Sequence, residues 1–135
     1  MIHSRITIVA LLVVVLGSVV TPNASAQDIP MPTDWSTHYA WFLVANPEYV
    51  SGDEAAEALL TNAHIQYQLR LHAEGHAIAA GGFAPLAGDP VIGLTILRAA
   101  SEEAAQALAD ADPAVRAGRL LARVRAWWVP TEQLP

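Results

Sequence analysis

"NAHIQYQLRLHAEGHAIAAGGF", residues 62–83, carries a helix, its stop and a strand in one run. Together with Leu60, the residues His64, Tyr67 and Leu71 recur at i, i+4, i+7 and i+11, one face of a helix. The helix is expected to reach about Glu74, and Gly75 is a natural stop. "HAIAAGGF", 76–83, then reads as a strand whose Gly81–Gly82 pair marks a bend or a close backbone approach. Three of the four face residues prefer burial, whereas His64 brings a titratable imidazole to a core position.

Upstream, "HYAWFLV", 38–44, is aromatic, β-branched and apolar, the composition of a strand. The turn "NPEYVSGDE" ends in a helix start: Ser51 with Glu54 forms a possible capping box, and Asp53 and Glu54 suit the positive end of the helix dipole. Downstream, "APLAGDP" is a turn and "VIGLTILRA", 91–99, a third strand. Ser101 opens a second helix, "SEEAAQALADA", with Glu102 and Glu103 in its first turn. "DPAVRAG" is a short hook with Asp112 as cap, Pro113 at the first helical position and Gly118 as stop. "RLLARVRAWWV", 119–129, is the last strand, ended by Pro130.

A β-α-β-β-α-β order predicts an α+β, ferredoxin-like fold: a four-stranded antiparallel sheet with both helices on one face. In the first strand Tyr39, Trp41 and Leu43 alternate with Ala40, Phe42 and Val44, so both faces are apolar. The third strand behaves alike, with Ile92, Leu94 and Ile96 opposing Val91, Gly93, Thr95 and Leu97. Helices cover one face. A bare second face would be a large apolar patch, so a homodimer packed through the sheet face is expected.

The chain of 135 residues opens with "MIHSR", an apolar run at 6–20 and the small-x-small site "ASA" at 24–26. The run is shorter than the roughly 20 residues of a spanning helix, and its flanks are those of an export signal. Residues 1–26 are therefore expected to be removed, with no stable membrane insertion afterwards and a periplasmic or secreted product. That leaves 109 residues, enough for one small domain with its own core. Residues 27–37, with two prolines and no period, read as a flexible tether before a domain over 38–130, and 131–135 as a tail. The basic residues are all arginine, and without Arg5 six of them face 13 acids, a formal charge of −7. That balance argues against nucleic acid and against an anionic membrane surface. With no cysteine, disulfides cannot hold the fold.

The chemistry-bearing residues are few. His64 and His72, eight residues apart on one helix, stand about 12 Å apart at 1.5 Å per residue, too far for one metal ion. No metal or other cofactor is expected, and His38 and His72 read as surface residues. "AAGGFAPLAGDP" lacks the lysine of a phosphate loop and opens no helix, and no serine sits in a nucleophile elbow. Asp110 and Asp112 flank one alanine, a spacing that suits capping as well as acid–base work. Arg123 and Arg125 share a face of the last strand, where they either grip an anion or form a solvated edge. His64 is either a half-buried core histidine with a hydrogen-bond partner or a proton-transfer group.

From about residue 38 to 130 the chain resembles the YCII-related (YciI-like) family. The resemblance is carried by "NAHIQYQLRLHAEGHAIAAGGF", by "GLTILRAASEEAAQALADADPAVRAG" and by the closing "VRAWWVP". It implies a ferredoxin-like fold that dimerises as an α+β barrel, in a family whose relatives include a dehydrochlorinase of a chlorinated hydroxyquinol. The wider fold includes muconolactone isomerase-like enzymes. It further implies a His–Asp active-site pair, which falls on His64 and Asp112. Tyr67, on the same helix face, with Gly82 and Phe83 at the end of the second strand, is then expected beside a small-molecule substrate. The chain departs from the family at Ala114, where an aromatic often follows the Asp-Pro, at Gly82, where proline is frequent, and in its export signal. A carboxylate on one ring nitrogen fixes the tautomer and leaves the other nitrogen to take a proton. The expected chemistry is proton transfer in an elimination or isomerisation of a small cyclic or aromatic substrate. The competing reading is a non-enzymatic ligand-binding or structural dimer of the cell envelope, in which Asp112 only caps and His64 only packs.

Overall fold

β1 (Trp35–Ala45) is the axis on which the other strands assemble. It pairs antiparallel with β3 (Val91–Leu97) on one side and β4 (Leu120–Pro130) on the other. β2 (Ala77–Gly82) joins the far edge of β3, so the sheet runs β2-β3-β1-β4. The helices are α1 (Glu54–Ala73), α2 (Glu102–Asp110) and the single turn α3 (Pro113–Arg116). This is the α+β, ferredoxin-like arrangement anticipated from the order of elements. These elements come from a computed structural model describing residues 29–134, so the segment 1–26 read as an export signal lies outside the described residues. No helix among the described residues is long and apolar enough to cross a membrane.

Two element starts differ from expectation. β1 begins at Trp35 rather than His38, because β4 runs on through Trp128, Val129 and Pro130 and offers Trp35, Ser36 and Thr37 a partner strand. Residues 35–37 therefore belong to the sheet and not to the tether. α1 is capped by Asp53 rather than Ser51: its side chain accepts from the Ala56 N–H at 2.8 Å. Glu57, not Glu54, reaches back to the Gly52 N–H at 2.9 Å, and the Tyr49 hydroxyl donates to the same Oε1 at 2.7 Å. The remaining caps follow the sequence pattern. Gly75 ends α1 at φ +80°, Ser101 caps α2, and Asp112 caps α3 ahead of Pro113.

Tyr39, Trp41 and Leu43 of β1 form the centre of the core with Leu97 of β3 and Leu71 of α1. Ala105 and Ala109 of α2 are fully buried against them, and their short side chains let that helix lie close to β1 and β4. α1 instead packs on β2 and α3 and leaves a gap above β1 and β3. The other face of the sheet carries Ala40, Phe42, Val44, Leu94 and Ile96, while Arg123 and Arg125 stand exposed opposite Phe42 and Ala40. His38 departs from the surface position expected of it. It is buried, and its Nδ1 has no hydrogen-bond partner among the described residues.

The close backbone approach is between Gly93 and the Gly81–Gly82 pair, and Gly93 is the member with no room for a side chain. A Cβ on Gly93 would sit 2.7 Å from the Gly81 carbonyl oxygen and 2.9 Å from Leu43 Cδ1, whereas one on Gly81 would meet nothing. Gly93→Ala is expected to destabilise the fold by about 1–3 kcal/mol through overpacking, read as a lower urea midpoint with m unchanged. Burial, and then the Arg98 charge, push the His38 imidazole below its usual range. A depressed histidine contributes stability that is present above its unfolded value and lost as pH falls through the folded value. Urea midpoints are therefore expected to fall from pH 7 towards pH 5, and His38→Gln to flatten that slope.

Candidate functional site

The gap beneath α1 is a cavity of about 650 Å³. One stripe of α1 faces it: Thr61, His64, Ile65, Gln68, Leu69 and His72, the i, i+3, i+4 and i+7 spacing of a single helix face. Its opposite wall is the sheet, with Leu43, Gly93 and Thr95 in the floor and Ala79, Ala80, Gly81 and Gly82 along β2. Small residues keep the β2 side open. Ala114, Arg119 and Leu120 close one end.

α1 thus has two working faces. Leu60, Tyr67 and Leu71 turn to the core, the stripe just described turns to the cavity, and His64 stands where the two meet. Its Nδ1 lies 2.8 Å from Asp112 Oδ2. Asp112 is fully buried while His64 retains some exposure, so the carboxylate sits behind the ring rather than in the cavity. Nε2 makes no hydrogen bond among the described residues, and the ring lines the cavity.

Asp112 caps α3 and also meets His64. Its Oδ1 accepts the Ala114 N–H at 2.8 Å, which caps α3, and its Oδ2 meets His64. Pro113 at the first helical position leaves that amide as an early donor for the cap. Gln68 Nε2 also reaches Oδ2 at 3.4 Å, and the Thr95 hydroxyl donates to Gln68 Oε1 at 3.0 Å. A buried polar chain therefore runs from Thr95 on the sheet through Gln68 to Asp112 and His64. Such a chain fixes side chains when each member has a partner.

Gln68 and Thr95 were not anticipated as site residues. The available signals were Gln68 one turn after His64 and a lone hydroxyl, Thr95, on an apolar strand. Arg119, read only as the first residue of the last strand, also lines the cavity. His72 is exposed, as expected, but faces the same cavity with Nδ1 at 3.1 Å from the Ala77 carbonyl. Because a carbonyl only accepts, that nitrogen carries the proton.

Other expected residues lie elsewhere. The Tyr67 hydroxyl donates to the Leu108 carbonyl at 2.7 Å, across to α2, and is not part of the cavity wall. Burial, and then the Asp112 charge, raise its pKa above the usual phenol range. Gly82 lines the cavity, but Phe83 is half exposed outside it. Asp110 accepts from Gln106 on the surface and takes no part with Asp112. No group of three or more His, Cys, Asp or Glu side chains suited to a metal ion occurs among the described residues.

The search of curated proteins found no match for this chain. Among solved structures, it is similar to 5-chloro-2-hydroxyhydroquinone dehydrochlorinase (TftG) from Burkholderia phenoliruptrix AC1100, in complex with 2,5-dihydroxybenzoquinone. The TM-score is 0.50 at 19% identity, over 67% of this chain and 92% of that one. At that identity the likeness is one of fold. The profile of the YCII-related domain matches residues 37–127, which takes in most of β1 and β4 and the whole of every element between them, and the chain belongs to that family.

Proposed function

We propose that the protein is a small-molecule enzyme in which His64 and Asp112 transfer a proton within the cavity. The observation that carries the proposal is the 2.8 Å contact from His64 Nδ1 to a fully buried carboxylate, with the ring itself at the cavity wall. Asp112 holds Nδ1 as the protonated nitrogen, which leaves the lone pair of Nε2 for a substrate C–H or O–H. In an isomerisation the proton taken from one carbon returns to another. In an elimination Nε2 takes the C–H proton, the C–H pair forms the new π bond, and the leaving group departs with its own bonding pair. Neither course needs a co-reactant.

The mostly apolar wall with a few polar groups suits a small cyclic or aromatic substrate. The dihydroxybenzoquinone bound by the structurally similar dehydrochlorinase is a ligand of that kind. Ala114, where relatives often carry an aromatic, adds room at the Asp112 end. Two further parts of the proposal rest on other residues. The apolar outer face of the sheet, with Phe42, Leu94 and Ile96, packs on a second copy. Residues 1–26 direct export, so the enzyme works in the periplasm or outside the cell.

Proton transfer is tested by incubating the protein with small cyclic C–H acids in D2O and following loss of proton signals by NMR. His64→Gln is expected to lower the exchange or turnover so found by about 10²–10⁴-fold. Undiminished turnover in that variant overturns the assignment, and a wild type that binds without exchange makes the chain a binding module. Asp112→Asn and Asp112→Ala separate the two duties of the carboxylate. Both are expected to lose turnover, but Asn keeps an acceptor for the Ala114 N–H. Asp112→Ala loses that cap and the charged hydrogen bond together, roughly 2–4 kcal/mol, and is expected to be the less stable of the two in urea.

A further inference from the structure

From Arg119 we infer that the cavity binds an acid, a carboxylate on a small apolar body, with the carboxylate anchored by the guanidinium. The inference rests on the proton-transfer reading and names its substrate class. Among the described residues lining the cavity, Arg119 is the one that is permanently charged. Asp112 is screened behind His64 and does not reach the wall. A carboxylate entering the cavity therefore meets a cation whose own ion-pair partner, Glu57, is not part of the cavity lining.

The guanidinium is held in place from one side. Nη1 donates to Thr61 Oγ1 at 2.7 Å and approaches the Glu57 carbonyl at 3.5 Å. Glu57 Oε2 lies 3.5 Å from the same nitrogen, while its Oε1 is already taken by the Tyr49 hydroxyl and the Gly52 N–H. These contacts all run through Nη1, and the rest of the planar fork is the geometry that takes a carboxylate with two parallel bonds. The other end of the cavity, at His72, offers an imidazole ring and no such fork.

Position ties the anchor to the chemistry. Thr61 and His64 lie three residues apart on α1, about 4.5 Å along the axis. A carboxylate seated on Arg119 thus holds carbons one to three bonds away within reach of His64. The anchor thus selects both the substrate and which of its C–H positions, activated by other groups on the apolar body, faces His64.

The test uses 2-naphthoate and 2-naphthamide, which share an apolar body and differ in charge, titrated into the purified protein while the His64 ring is followed by NMR. The naphthoate is expected to shift the ring and to bind about tenfold or more tighter than the amide, the effect of a charge-assisted pair. Arg119→Gln is expected to bring the two affinities within about twofold, Arg119→Lys to retain part of the preference, and Thr61→Val to weaken it. Equal binding in the wild type, or a preference that survives Arg119→Gln, overturns the anchor while ring shifts from both ligands leave the proton-transfer cavity standing. Should neither ligand move the ring, both readings fall. If Arg119→Gln does not fold, the wild-type ratio and its decline with added salt decide the question.

Discussion

Asp112 is the residue on which the rest of this site depends. A fully buried carboxylate is costly unless every lone pair finds a donor. Here one oxygen holds the first turn of α3 and the other holds His64, with Gln68 nearby. The cap and the contact with His64 are thus two ends of one group. The first positions the second. α3 is only one turn long, and Pro113 and Gly118 delimit it so that Asp112 points back toward α1. A single side chain thereby ties the start of α3 to the middle of α1.

The cavity follows from how unevenly the two long elements of the helical layer are supported. α2 presents alanines and sits close to the sheet, so that half of the molecule is filled by Tyr39, Trp41 and Leu97. α1 rests instead on β2 and α3, and its stripe from Thr61 to His72 faces the cavity, meeting the sheet through the Thr95–Gln68 hydrogen bond. Ala79, Ala80, Gly81 and Gly82 leave the β2 side of that space open, and Gly93 lets the β2 and β3 backbones come close. Removing side chains from strands is a loss of core; here it produces room next to a polar chain.

The order of elements, the stops at Gly75 and Gly118 and the caps at Ser101 and Asp112 were legible because each rests on local backbone chemistry. The start of β1 was not, since Trp35 to Thr37 become strand only through pairing with Trp128 to Pro130, more than ninety residues away in sequence. Ser51 and Asp53 compete for one cap, and the choice is made by Glu57, held by Tyr49 and Gly52, which a local pattern does not weigh. The contact between His64 and Asp112 was legible through the family resemblance rather than through spacing, as 48 residues separate them. Tyr67 was misplaced because the helix-face argument orders residues around α1 but does not say which neighbour the face meets. It meets the Leu108 carbonyl of α2. Gln68, Thr95 and Arg119 escaped notice for the same reason: each acquires its role only when two elements far apart in sequence are brought together.

The charge pattern gives a last reason to connect the two ends of the cavity. The chain as a whole is acidic, with 13 Asp and Glu against 7 Arg, so its surface opposes anions at long range, screened within about 10 Å at 0.1 M salt. Yet the Asp112 carboxylate is sealed behind an imidazole, and Glu57, bound through Oε1 by Tyr49 and Gly52, is not part of the cavity lining. What faces the interior is a guanidinium, two imidazoles, the uncharged Thr61, Gln68 and Thr95, and an apolar wall. A site so arranged weakly discourages anions at the surface and favours them once inside, where the local dielectric strengthens the pair. It is a division of labour between outside and inside: net charge governs approach, and the few groups on the wall govern what stays.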